Sequence, residues 1–566
     1  MPSSTNPNLA HHLALMAAAS PARVAIKIPR GRTSAGDIDY LALTFAELDA
    51  EVSAWTARLS DAGVARGDRT LLMVRQGLPL IASAFGLLRL GAVPVLIDPG
   101  MGLKNFLAAV AATKPRALVG IPFAQLISRL YRPTFRSVKI RVWASGSLTA
   151  RLSAASAIVN HKSEIVNSAP TDLAAILFTS GTTGKPKGVC YEHGMFDAQV
   201  RLIRETYAIA PGEIDLPLLP IFALFNPALG MTTIVPEMDP RRPADLDPAK
   251  IVRAIRQENV TNSFGSPTLW KKISDHCLAE KITLPSLRRV LCAGAAVPAD
   301  LWKSSRAFLP NGRLHSPYGA TEALPLATID SSEIENLNSK SEKPHGICVG
   351  RPLPGIDLRI IAITDQSIMR VIDFRELPRG EIGEILVAGP IVTKAYDGLT
   401  WSTTMAKIFD GPVAAWHRMG DCGYLDAEGR LWLCGRKAER VRPAMTVTLH
   451  TEPCEQIFRT HPRVVRCALI GLGDRPRQTP ALVVETAETD PAALRAFAAE
   501  LRAIALAHEA TAIIEAYYFH PRFPVDVRHN AKIHRLTLAK WAATAQFYGV
   551  TERPKIIVGL PPQPPQ

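Results

Sequence analysis

The sequence predicts an α/β fold: a large amino-terminal domain of sheets flanked by helices, then a small α+β domain. Two observations carry this. Helical patterns alternate with short β-rich runs through the first part of the chain, and the elements become shorter after Gly435–Arg436–Lys437. Taken in order, Phe45 to Leu59 has apolar residues at helical spacing and is closed by the breakers Gly63 and Gly67. Thr70–Leu71–Leu72–Met73–Val74 reads as a strand, Leu80 to Leu90 as a helix, and Val93 to Ile97 as a strand ended by Asp98–Pro99–Gly100. Strand, helix and strand in succession imply βαβ units with parallel pairing. The rhythm continues at Ala117–Gly120, Ala174–Phe178 and Arg289–Cys292, whereas Asp330 to His345 is polar without a period and predicts a surface loop. Further on come the apolar runs Ala468–Ile470 and Ala481–Val484, and an amphipathic helix from Pro491 to about His508. The expected division is residues 1–436, residues 437–552, and a Pro-rich tail over 553–566 that cannot pack.

Composition narrows the function. With 47% apolar and 20% charged residues in 566, the chain can bury a large core, which excludes wholesale disorder. A net charge of +14 permits contact with nucleic acid, acidic lipid or phosphate-bearing metabolites. The basic residues are spread along the chain with no five-residue run and no aromatic–basic motif, which argues against nucleic acid. The eight cysteines form no CxxC pair and join no His cluster, so they read as reduced, buried thiols of a cytoplasmic protein rather than metal ligands. Met1 to Ala10 lacks a signal-peptide pattern, and Leu80–Ile97 is interrupted by Arg89, Gly91 and Pro94, so no transmembrane segment is expected.

The sharpest local signal is Leu177–Phe178–Thr179–Ser180–Gly181–Thr182–Thr183–Gly184–Lys185–Pro186–Lys187–Gly188. An apolar strand runs straight into hydroxyls, glycines and two lysines. Glycines let backbone N–H groups curl toward a ligand, hydroxyls add donors and Lys adds charge, which together make a phosphate-holding loop. The Walker A pattern cannot be drawn through it.

This loop resembles that of the adenylate-forming enzymes, the superfamily of acyl-CoA synthetases, luciferases and peptide-synthetase adenylation domains. The likeness extends to Leu43–Asp49, Gly91–Ala92–Val93–Pro94, Ser316–Pro317–Tyr318–Gly319–Ala320–Thr321–Glu322, Gly420–Asp421–Cys422–Gly423–Tyr424 and Gly435–Arg436, in the family's order from about residue 20 to about residue 550. The resemblance implies ATP and Mg²⁺ as cofactors. Thr179, Ser180, Gly181, Thr182, Thr183, Gly184 and Lys187 would wrap the β- and γ-phosphates. Gly294, Ala295 and Ala296 would flank the adenine, with Tyr318 and Gly319 beside it. Thr321 would touch the α-phosphate, Glu322 would hold Mg²⁺, and Asp421, near Arg436, would take the ribose hydroxyls. Phe523 to Arg535 matches the catalytic-lysine segment, which makes Lys532 the group that offsets charge as the acyl carboxylate attacks.

Departures from the common pattern are informative. Ala531 precedes the lysine where the family has glycine, Ala223 follows Pro220–Ile221–Phe222 where acyl-CoA synthetases place His, and Ala438 stands at the hinge. Arg442–Pro443–Ala444–Met445–Thr446 replaces the Gly-bearing loop of the pantetheine tunnel, and Pro restricts the backbone that Gly would free. Leu216 to Pro240 resembles the β-lactone synthetase branch of bacterial long-chain olefin biosynthesis. That resemblance implies adenylation of a long-chain 2-alkyl-3-hydroxyalkanoic acid and ring closure by its own β-hydroxyl. It also implies assembly with an α/β-hydrolase-like decarboxylase and an NADPH-dependent reductase. The alternative is a long-chain fatty-acyl-CoA ligase or acyl-AMP ligase, including one that loads an acyl carrier protein. Phe222, Phe225, Met231 and Phe264 are the expected acyl-pocket lining.

Overall fold

A computed structural model describes residues 6–144, 164–179, 186–239, 242–338, 346–411, 414–525 and 533–549. Near the amino end, six strands run side by side in the order Ile140–Trp143, Ala117–Gly120, Arg69–Met73, Val93–Ile97, Leu173–Thr179 and Lys187–Glu192. The first four pairings are parallel, as the strand–helix–strand reading requires, and the last is antiparallel. The helix Phe45–Asp61 starts where Thr44 and Glu47 form a reciprocal capping box, and it buries Phe45, Leu48, Val52, Trp55 and Leu59 on one stripe.

A second sheet has fourteen strands. Its central part is parallel, through Arg313–Ala320, Arg289–Cys292, Asn262–Gly265, Ile214–Asp215, Thr232–Ile234 and Val24–Arg32. From Arg313–Ala320 toward the other edge the order is Ala323–Asp330, Ile347–Pro352, Leu431–Arg436, Ala414–Leu425, Gly383–Ala388 and Asp357–Ile361, all antiparallel. The sheet is therefore mixed. Parallel strands end where crossover helices stop and hairpin connections begin. A separate four-stranded sheet, Cys467–Leu472, Thr479–Glu485, Ala516–His520 and Tyr548–Gly549, packs with the helix Pro491–Leu506 into the small carboxyl-terminal unit.

Two expectations need correction. The segment after Asp330 is not a loop throughout: Ser331–Asn338 is a helix, started by Asp330 Oδ1 accepting from the backbone N–H groups of Ser332 and Glu333 at 2.9 and 3.0 Å. Only Ile334 and Leu337 pack inward, too few to give a readable period. All eight cysteines are free, but Cys190 is half-buried while the other seven are buried.

Candidate active site

Thr321 and Glu322 form the two-residue turn between the antiparallel strands Arg313–Ala320 and Ala323–Asp330, with Ala320 opposite Ala323. Gly319 is required there, because a Cβ on it would lie 2.5 Å from the Ala323 carbonyl oxygen. Other segments hold the turn in place. The Tyr191 hydroxyl donates to the Thr321 carbonyl, and Thr393 donates to the Glu322 carbonyl through its N–H at 2.9 Å and its hydroxyl at 3.0 Å. The Tyr396 hydroxyl donates to Glu322 Oε1 at 2.7 Å. Only one carboxylate oxygen is engaged by these bonds. No cluster of three His, Cys, Asp or Glu able to hold a metal exists among the described residues. A single carboxylate suits Mg²⁺, which keeps several waters and binds mainly through substrate phosphates.

The strand bearing Tyr318 lies beside Arg289–Cys292, with Leu291 opposite His315. Three residues further along each chain come Gly294, at the start of an open turn with Ala295 and Ala296, and Tyr318. This is the carboxyl end of the parallel strands, where open α/β sheets bind ligands. The Tyr318 hydroxyl donates to Asp421 Oδ2 at 2.7 Å, and Arg436 Nη1 pairs with Asp421 Oδ1 at 2.9 Å. Asp421 and Arg436 are register partners on neighbouring strands. Gly435 has to be glycine: its φ is +117°, and a Cβ would sit 2.0 Å from Thr451 Oγ1. Burial, then the Asp421 charge, raise the Tyr318 phenol far above its usual value, so it remains a donor.

Thr179 and Lys187 are opposite each other at the mouth of the hairpin that carries the phosphate-type loop. The Lys187 ammonium lies 4.8 Å from the centre of the Tyr396 ring, and through that ring it shares a neighbourhood with Glu322. Behind them, buried Lys407 donates to the Thr393 carbonyl and hydroxyl. Burial lowers its pKa to about 7 against the opposing pull of Glu322. Ser180, Gly181, Thr182, Thr183, Gly184 and Lys532 lie outside the described residues, as do the side chain of Thr179 and the tail 553–566. Three residues beyond Lys532, Arg535 is clamped by Glu455 through Nε at 2.9 Å and Nη2 at 2.8 Å, and by Glu439 at 3.0 Å.

A pocket lined mainly by apolar side chains and partly open to solvent adjoins this site. Phe222, Phe225, Met231 and Phe264 all line it, as expected from the sequence, and Pro317 and Leu324 link it to the Tyr318 hairpin. Phe222 and Phe264 stack with centroids 3.6 Å apart. Asp215 also lines it, accepting from Asn226 Nδ2 at 2.8 Å, and burial raises its pKa to about 7. Sequence reasoning did not single out Tyr191, Thr393, Tyr396, Lys407, Asp215 or Asn226. Each reaches the site by tertiary packing, and only the isolated Asp and Asn beside otherwise apolar runs gave a signal that could have been noticed.

Mixed sheets flanked by helices, with a smaller carboxyl-terminal unit, make up the adenylate-forming fold. The family of AMP-binding enzymes matches residues 16–397, and the chain belongs to it. An olefin beta-lactone synthetase of Xanthomonas campestris pv. campestris is 43% identical over 550 residues, covering 95% of this chain and 97% of the relative. Another of that name, from Stenotrophomonas maltophilia, is 41% identical over 95% of this chain and 98% of its own length. Among solved structures, an amide bond synthetase from Marinactinospora thermotolerans superposes with a TM-score of 0.75 at 22% identity, covering 94% and 99% of the two chains.

Proposed function

We propose that this chain is an ATP-dependent β-lactone synthetase that acts on a long-chain 2-alkyl-3-hydroxyalkanoic acid. An acid carboxylate oxygen attacks the α-phosphorus of ATP, the bond to the bridging oxygen breaks, and pyrophosphate leaves. The substrate's β-hydroxyl oxygen then attacks the acyl carbon, the bond to the AMP phosphate breaks, and the hydroxyl proton is released. A four-membered lactone and AMP result. The observation that carries this reading is the apolar cavity joined to the Tyr318–Asp421 site, in a chain 43% identical to an olefin beta-lactone synthetase. Attack within one molecule gains from proximity and needs no second substrate. This accords with the Arg442–Thr446 loop, where Arg442 Nη2 bonds back to the Met445 carbonyl at 2.9 Å and Pro443 stiffens the turn. Acyl-CoA or acyl-AMP ligation is the second reading, and it would need that loop to admit a thiol.

In this account Tyr318 and Gly294–Ala296 flank the adenine, Asp421 and Arg436 serve the ribose, and Thr179–Gly184 with Lys187 hold the phosphates. Thr321 contacts the α-phosphate. Glu322 would hold Mg²⁺, which supplies charge neutralisation on the phosphates. Residues 1–436 bind ATP and acid, and residues 437–552 bring Lys532 to the reacting carboxylate. The enzyme works in the cytoplasm beside the decarboxylase and reductase of its pathway. No helix among the described residues is long and apolar enough to cross a membrane. The test is Lys532→Ala: pyrophosphate release with the hydroxy acid should fall by about 10²–10³-fold while ATP still binds. Undiminished release would reject the assignment.

A further inference from the structure

The helix Pro122–Leu130 is amphipathic in the reverse sense for a helix lying on a sheet. Its buried side chains are Ala124, Gln125 and Ser128, and Gln125 Nε2 donates to the Val142 carbonyl of the edge strand Ile140–Trp143 at 3.1 Å. Its outward side chains are Phe123, Leu126 and Leu130, exposed by 63%, 53% and 69%, at the i, i+3 and i+7 spacing of one helical stripe. Tyr131 continues the stripe, and Trp143 is 40% exposed at the end of the edge strand. Ordinary surface helices hide such residues, because a large apolar side chain left in water forgoes the free energy of its burial.

The charge around the stripe is one-sided. Arg129, Arg132, Arg136 and Lys139 are exposed and form no ion pair among the described residues. Arg141, also exposed, donates among the described residues only to Ser128 Oγ and the Val138 carbonyl. Between Asp98 and Glu164 the sequence holds ten Lys and Arg and no Asp or Glu, so the basic residues that looked evenly spread include one acid-free block. Helix, turn and edge strand are consecutive in the chain, and they present aromatic, aliphatic and cationic groups together.

Anionic lipid answers both halves of this surface. Its phosphates pair with the cations, and its acyl boundary takes Phe123, Leu126 and Leu130, with Tyr131 and Trp143 at headgroup level. A nucleic acid would satisfy the charges and leave the apolar stripe in water. We propose that the helix Pro122–Leu130, the following turn and the strand Ile140–Trp143 form a docking surface for an anionic membrane, with the helix lying in the interface plane. The proposal is independent of the reaction assigned above.

The full-length protein should float with phosphatidylcholine vesicles that contain a quarter phosphatidylglycerol, fail to float with phosphatidylcholine alone, and lose binding as salt rises. Each of R129Q, R132Q and R136Q should weaken binding about fivefold, and the three together on the order of a hundredfold. The triple variant F123S/L126S/L130S should lose flotation while its pyrophosphate release with a short soluble acid stays at the wild-type rate, which guards against misfolding. Binding to neither vesicle, equal binding to both, or full flotation of the serine variant would each overturn the proposal. So would a wild-type dimer, absent in the serine variant, without vesicle binding, because the stripe would then be covered by a second copy.

Discussion

Tyr318 and Asp421, 103 residues apart in sequence, are joined by a 2.7 Å hydrogen bond from phenol to carboxylate. Asp421 is held from its other oxygen by Arg436, so the aromatic strand is tied to the strand pair that ends at residue 436. Hydrogen bonds to a charged acceptor are worth about 1.5–3 kcal/mol, and here the bond fixes the two groups relative to each other.

Tyr318→Phe removes that bond and keeps the ring. The KM for ATP should rise roughly tenfold, with a smaller change in kcat, because on the proposed assignment the ring still flanks the base and the loss is one of pre-arrangement. Titration of ATP in a pyrophosphate-release assay reads this directly. An unchanged KM would mean that the bond has no part in nucleotide binding.

Asp215 gives a pH signature. Its folded-state pKa is raised from 3.8 to about 7 by burial, so between those values the native state keeps a proton that the unfolded chain has lost. Its contribution to stability is therefore greatest in acid, falls as pH rises toward 7, and is level above that. Asp215→Asn should be more stable than the parent by up to about 4 kcal/mol near pH 8 and close to equal to it near pH 4. Urea denaturation at the two pH values measures the difference, and a pH-independent offset would contradict it.

Arg535→Ala should unsettle the small unit. Glu455 is fully buried and would lose its bidentate partner while keeping Arg459 at 2.8 Å and the Leu469 N–H at 2.9 Å, a change that costs about 1.5–3 kcal/mol. Thermal unfolding should show a transition at lower temperature for the carboxyl-terminal unit, and lactone formation should fall with it. A variant with parental stability and activity would show that the clamp positions nothing.

Met231→Trp should fill part of the apolar cavity. The kcat/KM for long-chain acids should drop at least tenfold, as expected when about 1–3 kcal/mol of apolar complementarity is lost, while short acids are little affected. Competition between acids of two lengths tests it, and an equal loss for both would place the acyl chain elsewhere.

Much of this was legible in the sequence because local physics dominates there. The strands Val93–Ile97 and Arg289–Cys292 and the helix Phe45–Asp61 carry their own apolar pattern. Phe222, Phe225, Met231 and Phe264 are apolar residues that the fold does bring together as a pocket wall. What was not legible depends on packing between distant segments. Tyr396 meets Glu322, Lys407 meets Thr393, and Asp215 meets Asn226 only after the sheets assemble. The helix Ser331–Asn338 was missed because two inward residues make no pattern, and the reversed helix Pro122–Leu130 has an apolar stripe that faces outward.

Ring closure without a thiol is the step that separates the two readings of this enzyme. Purified protein, ATP, Mg²⁺ and a synthetic 2-alkyl-3-hydroxy fatty acid, incubated without CoA and read by proton NMR, test it most directly. The ring protons of an oxetanone are expected, together with AMP. A thioester formed only when CoA is added, with no oxetanone in its absence, would contradict it and make the chain an acyl-CoA ligase.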